Sequence, residues 1–315
     1  MSDIILPALA PVFFVMALGY GAGKFRIVNN HQVDGLNALV MDFALPASLF
    51  VATASASRSQ MLAQAPLFAI LGVVMLLLYL AWYFLARISS NVSKADASLQ
   101  ALTIAFPNLA GVGLPIMSAV LGPSGTVPVA VALATGSILV SPLTLVMAEM
   151  SKKENPATKT AKAQVLMALR HALIKPVVIA PALGILLSLS DLKLGAVVDA
   201  CLLLIGHSAA GVALFLTGSI LSAQSLRLDW RTVGATGMAD IVRPLLTAAF
   251  VFTLPISRDA AKTAVLLGAL PSGFFGILFA VNYRLDSATV GSIVIASTGF
   301  SMVTMAIALA VLFPN

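Results

Sequence analysis

Ten apolar stretches, each about as long as a membrane is thick, recur along this chain and limit what it can fold into. The hydrocarbon core of a bilayer is about 30 Å, which roughly 20 residues of helix cross. Stretches of that kind fall near residues 4–23, 36–55, 65–86, 98–121 and 126–148, and again near 171–190, 195–221, 232–254, 262–282 and 287–313. Of the 315 residues, 60% are hydrophobic and 10% charged, against about 25% charged in a soluble domain. A soluble interior of this size could not hide so much apolar surface, so lipid must solvate much of it. The expected fold class is an all-α integral membrane protein with ten transmembrane helices. The opening Met1-Ser2-Asp3 lacks the basic region of a cleavable leader, so the first stretch is read as a retained helix.

The placement of charge predicts how these helices are threaded. Connections of odd number carry Lys24, Arg26, Arg87, Lys94, Lys152, Lys153, Lys159, Lys162, Arg170, Arg227, Arg231 and Arg284, whereas those of even number carry Arg58, Lys193, Arg258 and Lys262. Basic loops stay in the cytoplasm, which puts both termini on the periplasmic side of a bacterial inner membrane. The longest polar stretch, 149–169, separates five helices (1–148) from five (170–315). Five is odd, so the halves are expected to have opposite orientations, as in an inverted repeat. The net charge of +6 reports this topology and not a nucleic-acid partner.

Two of the stretches are broken alike. Phe106-Pro107-Asn108 leads to Gly111 and Gly113, and Leu270-Pro271-Ser272-Gly273 leads to Gly276. The helix after each carries a Thr-Gly pair, Thr135-Gly136 and Thr298-Gly299. Proline inside a helix removes one main-chain hydrogen bond, and in lipid the freed groups must face protein or a polar cavity. Paired breaks in two half-repeats point to a binding site at mid-membrane, where half-helix N-termini favour an anion. The half-helices starting at Asn108 and Ser272 are expected to offer free N–H groups there. Two ordinary proline kinks are the plainer alternative.

Charged residues within the apolar stretches are costly and few. Arg243, in Asp240-Ile241-Val242-Arg243-Pro244, could clamp a carboxylate with two parallel hydrogen bonds. It could equally be neutralised by Asp240 at i−3, or hold main-chain carbonyls where helices cross. Asp42, His207 and Asp240 are candidates for a coupling ion. Lys175 is read as a snorkelling residue inside the sixth helix. The lone Cys201 excludes an internal disulfide and a cysteine-rich metal site. No phosphate-binding loop, Cys/His cluster, HExxH or GxSxG occurs, so the sequence indicates neither a cofactor nor an enzyme.

These residues resemble the auxin efflux carrier family of the bile-acid, arsenite and riboflavin transporter superfamily. The likeness covers nearly the whole chain: Gly35-Leu36-Asn37 leading into Phe43-Ala44-Leu45-Pro46, Phe106-Pro107-Asn108 with Gly113-Leu114-Pro115, Arg243, and Leu270-Pro271-Ser272-Gly273 followed by Phe279-Ala280-Val281-Asn282-Tyr283. It implies two inverted five-helix repeats, with helices four and nine crossing at Pro107 and Pro271. It further implies a scaffold of helices 1, 2, 6 and 7, a moving part of helices 3–5 and 8–10, and a homodimer. Substrate would sit at the crossing, against Asn108, Thr135 and Ser137. The short central linker is similar to that of the bacterial branch, whose members are often assigned to malonate or related dicarboxylates.

The reading that follows is a secondary transporter of a small organic anion, malonate first, working by elevator-type alternating access and coupled to a proton. The expected binding residues are Pro107, Asn108, Gly111, Thr135, Ser137, Arg243, Pro271, Ser272 and Gly273. A Na⁺-coupled symporter or cation/proton antiporter of the same architecture is the alternative, and a non-transporting membrane receptor or structural component is the alternative of another class.

Overall fold

The computed structural model describes residues 2–90, 92–151, 166, 170, 173–223, 227 and 229–313, and among them there are helices and connections but no strand. In chain order the helices are α1 (Ser2–Lys24), α2 (Asn30–Ala38), α3 (Leu45–Ala54), α4 (Arg58–Ala63), α5 (Ala65–Ser90), α6 (Lys94–Ala105), α7 (Leu114–Leu121), α8 (Thr126–Thr135) and α9 (Ser141–Ser151). The second half continues with α10 (Pro176–Leu189), α11 (Ala196–Gly206), α12 (Ser208–Ser222), α13 (Trp230–Gly237), α14 (Arg243–Val251), α15 (Arg258–Ala269), α16 (Phe275–Tyr283) and α17 (Ala288–Leu312). Most of the expected linker, with Lys152, Lys153, Glu154, Lys159 and Lys162, lies outside the described residues.

Several neighbouring helices are one rod interrupted by a wide turn. The segments Leu39–Ala44, Leu109–Gly113, Gly136–Val140 and Met238–Val242 are π-helical. Each is followed, at the second position of the next helix, by a proline: Pro46, Pro115, Pro142 and Pro244. A proline has no N–H to give to the carbonyl four residues back, and its ring collides with that carbonyl. Widening the preceding turn relieves the collision without breaking the rod. The prolines at 107 and 271 act differently. There α6 and α15 end, and the chain runs non-helically before the next helix begins. The stretches near 98–121 and 262–282 are thus broken pairs, not single spans.

Among the described residues, five helices are long and apolar enough to cross a bilayer: His31–Ala54, Ala65–Ser89, Val127–Met150, Ala196–Ser222 and Ala288–Leu312. Leu109–Leu121 and Pro176–Leu189 are shorter apolar helices. Many large apolar side chains face outward, among them Phe43, Phe84, Leu204, Leu245 and Val311. A chain of this kind needs lipid around it. Lys175 does not lie inside a helix as the sequence suggested. It precedes α10 at the capping position, with its ammonium 5.9 Å from the Tyr283 ring centre.

Lipid tails are as apolar as leucine, so helices associate through close contact and not through burial from water. Helix α1 packs along α12 in this way. A Cβ at Gly218 would come within 2.0 Å of the Met16 carbonyl oxygen, and one at Gly19 within 1.9 Å of that of Phe215. Helix α10 packs on α3, where Thr53 Oγ1 lies 2.8 Å from Leu49 O and 3.4 Å from Pro181 O. Helices α5, α9 and α17 gather around α6, which touches α16, and both α6 and α16 are largely buried. Gly218→Leu is expected to destabilise the protein by roughly 3 kcal/mol, the range of overpacked cores. Gly211→Leu, where no atom stands within 4 Å of the added Cβ, serves as the comparison in thermal unfolding in detergent.

Candidate functional site

The two broken rods meet at their breaks. Asn108 N donates to Pro271 O at 2.8 Å and Gly273 N donates to Phe106 O at 2.9 Å, an antiparallel bridge between residues 107 and 272. Proline ends each helix and leaves main-chain groups without an intrahelical partner. Each break supplies what the other lacks. The approach is so close that a Cβ on Gly273 would stand 2.3 Å from Phe106 O. The Phe106 and Phe275 rings stack across the junction at 4.6 Å.

Beyond the bridge, Asn108 caps the second half of its own rod. Its side-chain oxygen accepts from Gly111 N at 3.0 Å, and its carbonyl accepts from Val112 N and Gly113 N. The sequence suggested free N–H groups at Asn108 and Ser272, but both are engaged. Asn108 N is in the bridge, and Ser272 N donates to Ser297 Oγ at 2.8 Å. The physical reason is that the breaks lie against each other and against α17, so protein atoms reach them.

Arg243 lies beneath the crossing, 1% exposed. Its Nε donates to Gly268 O at 2.8 Å, Nη1 donates to Ile104 O and Nη2 to Leu270 O. Those carbonyls belong to the C-terminal ends of α6 and α15, which carry unpaired oxygens and partial negative charge. One guanidinium therefore caps both half-helices. Asp240 is not bonded to it. The Asp240 carboxylate, also 1% exposed, accepts from Ser297 Oγ at 2.7 Å through Oδ1, while Oδ2 has no hydrogen-bond partner.

The other expected residues divide by location. Thr135 and Ser137 are fully buried and flank Gly136, whose missing side chain leaves space for the Phe106 ring. The Thr135 hydroxyl donates to Val131 O at 2.8 Å, whereas the hydroxyls of Ser137 and Ser272 are buried without a partner. Asp42 is exposed on the outer face of its π-turn, apart from the buried crossing. His207 joins α11 to α12, also exposed, and lines a cavity of about 350 Å³ that reaches Leu114 and Leu133. Ser55, Ala56 and Gln60 also line a second cavity, of about 370 Å³, whose wall includes Arg58, Asp191, Lys193 and Asp199. Among the described residues no cluster of three metal-ligating side chains occurs.

This buried crossing within a multi-helix apolar body fits what the chain is similar to. A family model described as "Membrane transport protein" matches residues 4–309. The chain belongs to that family. It is therefore a multi-pass membrane transport protein and not an enzyme, and its likeness to auxin efflux carriers holds over nearly its full length. Curated relatives include an "Uncharacterized transporter YfdV" of Escherichia coli (strain K12), 28% identical over 302 residues, covering 95% of each chain. Proteins of the same description in Escherichia coli O157:H7 and Shigella flexneri match equally.

Sequence reasoning found the breaks and Arg243 but missed Ser297, Ile104 and Gly268. The first carries a weak signal, a Ser-Thr pair in an apolar helix. The other two act only through carbonyls and carry none. Arg243→Lys would keep the charge but cap fewer carbonyls, leaving helix ends unpaired in a dry interior. A loss of about 2–4 kcal/mol in unfolding stability is expected, measured by thermal or denaturant unfolding in detergent micelles.

Proposed function

We propose that this transporter carries a small organic anion, a short dicarboxylate such as malonate, across the bacterial inner membrane by elevator-type alternating access with proton coupling. The observation that carries this reading is the joined pair of broken helices, with two buried, unpartnered hydroxyls beside it. An unpartnered buried hydroxyl costs about 1–3 kcal/mol, a cost that a bound solute would offset. The N-terminal turns of the second half-rods, after Asn108 and Ser272, supply positive dipole ends without a full charge. The Asn108 side-chain amide and the hydroxyls of Ser137 and Ser272 would hold one carboxylate, with Gly273 letting the two breaks approach closely enough to do so. Pro107, Pro271 and Gly111 set the backbone there, and Thr135 borders it. Arg243 supports the crossing from beneath.

The proposal includes ten membrane-spanning helices in two inverted repeats, 1–148 and 170–315, joined by a cytoplasmic linker at 149–169, with both termini periplasmic. Helices 1, 2, 6 and 7 would form a dimeric scaffold, against which helices 3–5 and 8–10 carry the crossing from one side to the other. The packing of α1 on α12 and of α10 on α3 supports that division. With both termini periplasmic, the cavity at His207 and the neighbouring one at Arg58 and Lys193 would open to the periplasm between the two parts. The cation/proton antiporter reading is less favoured, because Asn108 and Ser272 at the crossing are neutral.

The test is uptake of radiolabelled malonate by purified protein in liposomes, with pH and Na⁺ gradients imposed separately. Saturable uptake, driven by an acid exterior and competed by other short dicarboxylates, is expected; its absence for all of them would sink the substrate class. Asn108→Ala should lower uptake at least tenfold while the protein stays folded, since it removes both a cap and a substrate contact. Undiminished uptake would move the site elsewhere.

A further inference from the structure

Among the described acidic and histidine side chains, Asp240 is the one that is buried. We propose that Asp240 is the proton-binding site of the transporter, and that its carboxylate and the transported anion are alternative counter-charges for one crossing. This rests on the proton-coupled transport reading given above.

The geometry starts with the helix ends. Each half-helix terminus facing the crossing carries about half an elementary charge, positive at N-termini and negative at C-termini. The two C-termini, of α6 and α15, are capped by the guanidinium of Arg243. Its charge is thereby offset by the carbonyls it holds. The two N-terminal turns, of the segments after Asn108 and Ser272, remain. With Asp240 ionised, the carboxylate balances them and the crossing is neutral overall. With Asp240 protonated, they are unopposed and about one negative charge, that of one substrate carboxylate, can be accommodated.

A hydrogen-bonded chain links the carboxylate to the break itself. Ser272 N donates to Ser297 Oγ at 2.8 Å, and Ser297 Oγ donates to Asp240 Oδ1 at 2.7 Å. An ionised carboxylate polarises the serine and strengthens its hold on the Ser272 N–H. A protonated carboxyl relaxes that hold, on a residue proposed to meet substrate. The second oxygen, Oδ2, has no partner, which leaves it able to carry the proton. The π-turn at Met238–Val242 sets this geometry, and Pro244 leaves the Asp240 carbonyl without its usual helical donor.

Few other charges bear on the site. From α14 the neighbour is Arg243. From α15, Arg258 and Lys262 line the same groove as Asp240, and the Lys262 ammonium stands 5.1 Å from the Phe313 ring centre. Helix α13 carries Arg231 two turns away, with Asp229 at its cap, and α6 carries Lys94 and Asp96 in its first turn, remote from the crossing end at Ile104. Helix α17 brings no charged residue, only Ser297. Asp42 and His207 are both exposed and are not linked to either break.

Linkage requires that protonation favour anion binding and that anion binding favour protonation by the same factor. Anion affinity should then be highest at low pH and fall about 5- to 150-fold as pH rises through the Asp240 titration, a range typical of coupled sites. Asp240→Asn fixes the neutral form. It should hold malonate at the wild-type low-pH affinity with no pH dependence, and exchange malonate across liposomes without being driven uphill by a pH gradient. The work should stay in a pH range where malonate itself does not titrate. Infrared difference spectra of the purified protein, recorded against pH, provide a readout independent of any solute: a buried protonated carboxyl band present in wild type and absent in Asp240→Asn. If malonate is not transported but the band appears and titrates, the proton site stands and the substrate class falls. If Asp240→Asn fails to fold, Ser297→Ala, which keeps the carboxylate and cuts the chain, should show the band with malonate affinity less dependent on pH. The proposal is overturned if Asp240→Asn keeps wild-type pH-driven accumulation, if no carboxyl band depends on Asp240, or if a Na⁺ gradient alone drives accumulation that the variant loses.

Discussion

The structure depends on how two broken helices satisfy each other. A main-chain break in lipid costs several kcal/mol for every group left unpaired, and this chain has two. Placed together, the breaks exchange hydrogen bonds through Asn108 N and Gly273 N, while one guanidinium takes the carbonyls of Ile104, Gly268 and Leu270. Neither break would be tolerable alone. The pairing also explains the residue types nearby: only glycine fits at 273 against Phe106 O, and the space left by Gly136 receives the Phe106 ring.

A charge as costly as a buried arginine must return something. Lysine could not serve as well, because capping two helix ends at once needs a planar fork with donors pointing apart. Asp240, three residues earlier, does not neutralise Arg243 directly but reaches the opposite side of the junction through Ser297. The crossing thus contains one positive group fixed on C-terminal ends and one negative group tied to the start of a break. A polar junction of this sort is economical in lipid, where helix dipoles supply partial charges at less desolvation cost than additional ionised side chains.

Around the junction, packing follows the rules of a lipid solvent. The α1–α12 contact is built on glycines, and π-turns precede Pro46, Pro115, Pro142 and Pro244, so that each rod continues past its proline. Small polar residues fill the interior and mostly return their hydroxyls to their own helix, as Thr53, Thr103, Thr135, Thr217 and Thr298 do. The hydroxyls of Ser137, Ser141, Ser219, Thr236 and Ser272 depart from that habit and are buried without a partner, and those of Ser137 and Ser272 lie beside the crossing.

The sequence by itself determined that the chain is helical and lives in lipid, because apolar stretch length and the scarcity of charge depend on composition alone. It also determined where the rods break, since proline removes a hydrogen bond wherever it stands. What Arg243 and Asp240 do was decided only by tertiary structure. Spacing of three residues allowed an ion pair between them, and the fold instead turned one toward carbonyls and the other toward Ser297. Carbonyls have no sequence signature, so Ile104 and Gly268 were invisible as partners. Likewise the N–H groups of Asn108 and Ser272 looked free from the chain alone and were taken up by residues more than a hundred and sixty positions away in one case and twenty-five in the other. Local chemistry fixes which groups a break sets loose, and only the approach of distant helices fixes which of them meet.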